Sequence, residues 1–230
     1  MKNIVTPRPF SLRAAIAGSI LSVGMALAVA ALIFFAWMAD EVFEGDSLRI
    51  DYAVREYVHG YSTEWLTSLM QFFSFLGSTV FLTSATVLLI VVFLVRRQRY
   101  SAIVLAVVMI GGVILNYVLK ISFGRNRPVP YFDTPLPDPF SFPSGHSLCS
   151  FCFYGIVAWL ILPRVRQRPL KFAVWILAAL TVISVGLSRI YLGVHFPTDV
   201  LAGYIAAFVW LCTVALADSA RRTYFGTERA

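Results

Sequence analysis

The sequence predicts an all-α fold, a bundle of six transmembrane helices, and three observations carry that expectation. Hydrophobic residues fill 59% of the 230 positions and charged residues only 13%, about half the charge of an ordinary soluble domain. The apolar residues gather into uncharged runs long enough to cross a bilayer. Basic residues sit in short clusters between those runs, and their order along the chain implies an even number of crossings. No shift in composition and no low-complexity linker divides the chain, so residues 1–230 are expected to form one domain.

The first run, near Ala14–Met38, follows Lys2, Arg8 and Arg13. That flank resembles a signal peptide, but the run exceeds a signal core in length and is expected to be a retained helix. The second lies within Trp65–Val95 and is too long for one straight span and too short for two joined by a loop. Gly77 and Ser78 interrupt it, which predicts a short interfacial or kinked helix ahead of the span proper. The remaining four spans are expected near Tyr100–Leu119, Gly145–Leu162, Phe172–Leu187 and Val200–Ala217.

Charge asymmetry sets their direction. Four clusters fall on one side of a six-span layout: Lys2, Arg8 and Arg13; Arg96, Arg97 and Arg99; Arg164, Arg166, Arg168 and Lys171; and Arg221, Arg222 and Arg229. They hold 13 of the 19 Lys and Arg, while 10 of the 12 acidic residues, all but Asp218 and Glu228, fall on the other side. The positive-inside rule then puts both termini in the cytoplasm. Splitting Trp65–Val95 into two spans would throw a basic cluster outward. A bacterial inner (plasma) membrane, with the opposite face toward the periplasm or exterior, is the expected location.

Between the first two spans, Ile50, Ala53, Val54, Tyr57, Val58 and Tyr61 recur at helical spacing, with Asp51, Arg55 and Glu56 on the opposite side. This pattern predicts an amphipathic helix over 47–60 on the outer surface, either roofing a site or packing on the bundle. The net charge of +7 does not point to nucleic acid, because the basic residues are loop clusters rather than a basic and aromatic surface. Cys149 and Cys152 form a C-x-x-C on an expected membrane helix. Without the strand context of a redox motif, they and Cys212 are read as small buried side chains.

Ionisable groups near membrane depth are costly unless paired or used. Lys120, Arg125, Arg127 and Arg189 nevertheless meet Ser144, His146, His195 and Asp199 on the outer side. Lys120, Arg127 and Pro128 form K-x6-R-P, Pro143 to His146 read P-S-G-H, and Ser188 to Asp199 read S-R-x5-H-x3-D. Together, in this order, these motifs resemble the tripartite signature of the type-2 phosphatidic acid phosphatase family, which includes membrane lipid phosphatases and soluble vanadium haloperoxidases. The motif core covers 120–199, and the six-span layout extends the likeness to most of the chain.

The residues also carry a physical reading of their own. P-S-G-H stands where the fourth span begins, and a helix's first turn has unpaired N–H groups and a partial positive charge. Gly145 admits an anion close to the backbone, Ser144 can add a hydroxyl donor, and Lys120, Arg127 and Arg189 can surround a phosphate with cations. His195 and Asp199 are four apart, so on a helix the carboxylate can hold one ring N–H and leave the other nitrogen to attack phosphorus. His146 is then the acid available to the leaving group.

The family resemblance implies the same division of labour. His195 would form a phosphohistidine, and His146 would protonate the leaving oxygen and then activate water. Lys120, Arg127, Arg189, Ser144 and the Gly145 amide would stabilise the transferring phosphoryl group. No cofactor is implied, and no carboxylate cluster offers a magnesium or two-metal site, so metal-independent hydrolysis is expected. The expected partners are the bilayer and a lipid phosphate: undecaprenyl diphosphate, phosphatidylglycerophosphate, phosphatidic acid or a lipid A phosphate. A lipid phosphotransferase with the same site, and a transporter, are the alternative functions. Arg125 matches no fixed motif position and is read as accessory. His59, Asp133 and Asp138 are read as solvated or interfacial, and Tyr131, Phe132, Phe140 and Phe142 as shaping the headgroup entrance.

Overall fold

The computed structural model describes residues 12–132 and 139–225, with side chains for 22–132 and 139–221. Lys2, Arg8, Asp133, Asp138, Glu228 and Arg229 lie outside the described residues, as do the side chains of Arg13 and Arg222. Among the described residues eight α-helices follow one another: α1 (Leu12–Glu44), α2 (Leu48–His59), α3 (Glu64–Leu76), α4 (Thr79–Val95), α5 (Arg99–Phe123), α6 (Gly145–Ile161), α7 (Arg168–Tyr191) and α8 (Pro197–Phe225). A single 3-10 turn, Leu162–Arg164, extends α6. Among the described residues no strand forms, and the one β contact is an isolated bridge between Asn126 and Phe140.

Five helices are long and apolar enough to cross a membrane, and a sixth crossing results when α3 and α4 count as one broken span. They meet at 45° across Gly77 and Ser78. There Ser78 leaves helical geometry and its hydroxyl caps α4 by accepting from the Phe81 N–H. The chain is thus an all-α integral membrane protein. α5, α7 and α8 run past the apolar stretches expected for them, because hydropathy marks only the hydrocarbon-depth portion of a helix whose polar ends continue in helical geometry.

α6 is the central helix, packed against α5, α7 and α8, with α1 on α8, α3 on α7 and α4 on α5. Leu105 and Val108 of α5, Leu148, Cys152 and Ile156 of α6, and Ala207 of α8 form the buried core. The outward faces of α5 and α7, for example Ile103, Ile110, Ile114, Leu177 and Leu180, remain exposed in the protein alone, as suits a surface solvated by lipid chains.

α6 and α8 both begin, and α5 and α7 both end, at what we call the histidine end. At the opposite end Arg164 hydrogen-bonds to Gln98 and to Ser101, and the Arg221 guanidinium lies 4.7 Å from the centre of the Tyr100 ring. The three described basic clusters therefore share one end of the bundle.

α2 packs on the bundle, against α7 and α8, through its polar face. Asp51 and Arg55 are buried, whereas Ile50, Tyr57 and Tyr61 on the apolar side are 60–68% exposed. The usual rule sends the apolar stripe inward because water bathes the outside. Here the polar stripe finds buried partners at the histidine end, and the apolar stripe is left for the lipid boundary. His59 is half-buried, its ring stacked on Tyr131 at 3.9 Å with Phe132 at its edge. Phe142 is fully buried against Phe35 and Phe123, and Phe132 stacks on Tyr191, so these two loop aromatics act as packing groups.

Candidate active site

Two glycines bring the three motifs together. A Cβ on Gly203 of α8 would lie 2.7 Å from the Ser144 carbonyl oxygen, so only glycine lets α8 press against the start of α6. The Ser144 N–H then donates to the Asp199 carbonyl at 2.9 Å, joining P-S-G-H directly to the motif that opens α8. Gly193, at φ +75°, adopts the left-handed conformation that other residues resist, and a Cβ there would collide with Tyr131. The turn it permits folds the chain back, so that the Arg189 carbonyl accepts from the N–H groups of both Val194 and His195.

The first motif is delivered by the end of α5. Gly124 closes that helix in the left-handed conformation, its N–H donating to the Lys120 carbonyl at 3.0 Å. Lys120 stays on the last helical turn with its ammonium 2.6 Å from the Phe140 carbonyl. Arg127, past the turn, reaches across to the loop between α7 and α8, where its guanidinium donates to the Val194 carbonyl at 3.0 Å and to His195 Nε2 at 2.9 Å.

That last contact defines the histidine's protonation pattern. A guanidinium can only donate, so His195 Nε2 accepts and its ring proton resides on Nδ1. Nδ1 lies 3.3 Å from Asp199 Oδ2, the carboxylate four residues on. Asp199 is itself fixed on both oxygens, since Oδ2 accepts from the Phe196 N–H at 2.8 Å and Oδ1 from Arg125 at 2.7 Å. His195 and Asp199 are both essentially inaccessible to solvent.

A cavity of about 190 Å³ opens beside this pair. Its charged walls are Lys120, Arg127 and Arg189, with His146, His195 and the backbone at Gly145 completing the polar end. Leu82, Met109 and Val113 continue it into the bundle as an apolar slot. Arg189, on the last turn of α7, is buried and donates to the Ser74 hydroxyl at 2.5 Å. Gly77, at the α3–α4 break, lets Val185 of α7 pack against the backbone, since a Cβ there would collide with the Val185 side chain, and the His146 ring lies in ordinary contact beside it.

A larger cavity, about 310 Å³, lies between α6, α7 and α8 toward the opposite end. Its lining is apolar, including Phe151, Trp159, Trp175 and Leu211, and it offers no group able to bind or transfer phosphate. The smaller cavity, where the charges converge, is therefore the candidate site. Among the described residues no group of three or more His, Cys, Asp or Glu gathers as a metal site.

Lys120, Arg127, Gly145, His146, Arg189 and His195 therefore meet at one cavity, with Asp199 directly behind His195. Ser144 does not join them on the cavity wall. It is fully buried, and its hydroxyl caps α6 by accepting from the Ser147 N–H at 3.4 Å and from the Ser147 hydroxyl at 3.0 Å. A residue at the cap of a helix finds the helix's own unpaired N–H nearer than any ligand. Arg125, which matches no fixed motif position and is read as accessory, stands behind the cavity. It bridges two buried carboxylates, Asp51 of α2 and Asp199, at 2.7 Å each.

Asn116 was absent from the sequence reading. One turn before Lys120, it lines the cavity with a buried Oδ1 that makes no hydrogen bond. Its helical register with Lys120 was the available signal.

Fold and site together define a membrane-embedded helical bundle with a cation-lined cavity at one end. The chain belongs to the PAP2 superfamily, whose family model matches residues 100–222. It is 31% identical to phosphatidylglycerophosphatase B of Bacillus subtilis over 76% of this chain and 87% of that one. It is also 32% identical to an undecaprenyl-diphosphatase of Sulfolobus acidocaldarius, over 61% of this chain and 65% of that one. The crystal structure of a transmembrane PAP2-type phosphatidylglycerolphosphate phosphatase from Bacillus subtilis superposes with a TM-score of 0.78 at 28% identity, covering 86% of this chain and 98% of that one. The structure of Aquifex aeolicus LpxE, at 21% identity and TM-score 0.56, covers 74% and 95% and shares the fold.

Proposed function

We propose that this membrane lipid phosphatase works through a phosphohistidine on His195, at the outer face of the bilayer. The reading rests above all on one observation. His195 Nδ1 faces Asp199, and the one in-plane lone pair of Nε2 is held by Arg127 at the wall of a cavity ringed by three cations, so a phosphate whose oxygens draw the Arg127 guanidinium to themselves releases that lone pair to phosphorus. Phosphate oxygens entering that ring bring phosphorus up to Nε2. The P–N bond forms as the bond from phosphorus to the lipid oxygen breaks, and His146 protonates that oxygen. Water then attacks the phosphohistidine, with His146 taking its proton, and inorganic phosphate leaves. Lys120, Arg127, Arg189 and the Gly145 amide balance the charge that spreads over the transferring group without any metal.

The outward orientation follows from the basic clusters at the opposite end, which the positive-inside rule assigns to the cytoplasm. The apolar slot past Leu82, Met109 and Val113 suits the chain of a lipid whose phosphate sits among the cations. Phosphatidylglycerophosphate and undecaprenyl diphosphate are the first substrates to test, alongside phosphatidic acid and lipid A. Detergent-purified protein with EDTA present, assayed for phosphate release from this panel beside His195→Ala, tests the mechanism. Release that survives chelation and falls by on the order of 10⁴-fold or more in the variant is expected. A variant as active as the parent would refute the phosphohistidine, and activity abolished by EDTA would refute the metal-free mechanism.

A further inference from the structure

α2 carries a buried carboxylate that the mechanism above leaves without a role. Asp51 is wholly inaccessible. Its Oδ1 accepts from the Thr198 N–H at 3.1 Å, and its Oδ2 accepts from the Thr198 hydroxyl and from Arg125 Nη2, each at 2.7 Å. The other arm of Arg125, Nη1, donates to the Thr198 hydroxyl at 2.8 Å and to Asp199 Oδ1 at 2.7 Å. One guanidinium is thus divided between two buried carboxylates, one of them the partner of His195. The Phe196 ring, 4.2 Å from the guanidinium carbon, covers its face.

The division matters because an arginine fork binds a carboxylate with both nitrogens when nothing else claims one of them. If Arg125 took both oxygens of Asp199, it would compete directly with the imidazole for Oδ2. Asp51 draws Nη2 away. Oδ1 of Asp199 then belongs to Arg125, and Oδ2 is left to the Phe196 N–H and to His195 Nδ1. α2 itself is held over this network by Arg55, which donates to the carbonyls of Val129 and Gly193 at 2.8 and 2.9 Å. The loops that carry Arg127 and His195 are therefore anchored to the same helix.

We propose that Asp51 is a positioning residue for the nucleophile, acting through Arg125 to keep one oxygen of Asp199 directed at His195. The proposal rests on the reading of His195 as the nucleophile. It predicts that Asp51 governs the chemical step and not the binding of phosphate, because Lys120, Arg127 and Arg189 do not touch it.

The test uses the full-length protein in detergent, with phosphatidylglycerophosphate, undecaprenyl diphosphate or phosphatidic acid, whichever is hydrolysed fastest. Asp51→Asn is expected to lower kcat roughly 10- to 100-fold, the range that misplacing a reacting group by about an ångström produces, while KM stays close to the parent value. Arg125→Gln should lower kcat as well, and Asp51→Asn added to it should cause no further loss, since both act through one contact.

A folded Asp51→Asn protein with parental kcat would overturn the proposal. So would losses that multiply in the double variant, or a loss confined to KM. Should Asp51→Asn fail to fold, Thr198→Val removes the shared hydroxyl and keeps both charges. A fall in its kcat at constant KM supports the proposal, and an unchanged kcat overturns it. Inactive His195→Ala beside unaffected Asp51→Asn overturns this inference alone, whereas fully active His195→Ala removes the premise of both.

Discussion

The histidine end of the bundle and the opposite end bury different kinds of side chain, and the contrast separates the charged cavity from what holds the helices together. Asp51, Arg55, Lys120, Arg189, His195 and Asp199 are all buried at the histidine end. Most of their polar atoms are tied to carbonyls, hydroxyls or one another. Toward the opposite end α5, α6 and α8 interlock through Leu105, Val108, Ile156, Leu160 and Ala207, and a cavity of about 310 Å³ is tolerated among apolar groups. A buried charge needs a specific partner at a specific angle, whereas apolar contacts are non-directional and accept substitution of similar volume. The first end should therefore be sensitive in rate and the second in stability.

Three substitutions would break or sharpen that contrast, beginning with the largest effect. His146→Ala should lower turnover roughly 10²- to 10⁴-fold, the usual worth of a general acid or base, with the melting temperature nearly unchanged. Measuring kcat and thermal unfolding in one detergent checks it, and a large fall in melting temperature with normal turnover would erase the distinction. Leu105→Ala, at a fully buried position, should do the reverse. It is expected to cost about 2–5 kcal/mol of stability, with kcat per folded molecule kept. Ala215→Leu, at the wall of the apolar cavity, should move neither, with stability within about 0.5 kcal/mol and activity within error of the parent. A strong loss of activity there would mean that the opposite end takes part in the reaction.

The motif residues were legible because their types and spacing carry chemistry locally. His195 and Asp199 are four apart at a helix start, and Lys120, Arg127 and Arg189 are out of place at membrane depth unless something uses them. Ser144 was legible as the first residue of that helix start, yet its hydroxyl was assigned to phosphate, because sequence cannot weigh a ligand against the adjacent Ser147 N–H. α2 was legible as an amphipathic helix, but not the face it turns inward. Its periodicity gives two faces, but which one turns inward depends on whether water, lipid or a buried partner lies outside. Arg125 lacked any local signal, since both its partners are more than 70 residues away in sequence.

By itself the sequence determined the all-α membrane-spanning class, the break at Gly77–Ser78, the gathering of basic clusters at one end, and the cations and histidines that line the cavity at the other. These follow from periodicity, hydropathy and side-chain chemistry, which are properties of short stretches. Only the tertiary structure decided that Arg127 meets Nε2 of His195, that Gly203 admits Ser144 against α8, and that Asp51 shares Arg125 with Asp199. Each of these joins helices far apart in the chain, and hydrogen bonds depend on distances and angles that exist only once the helices have packed.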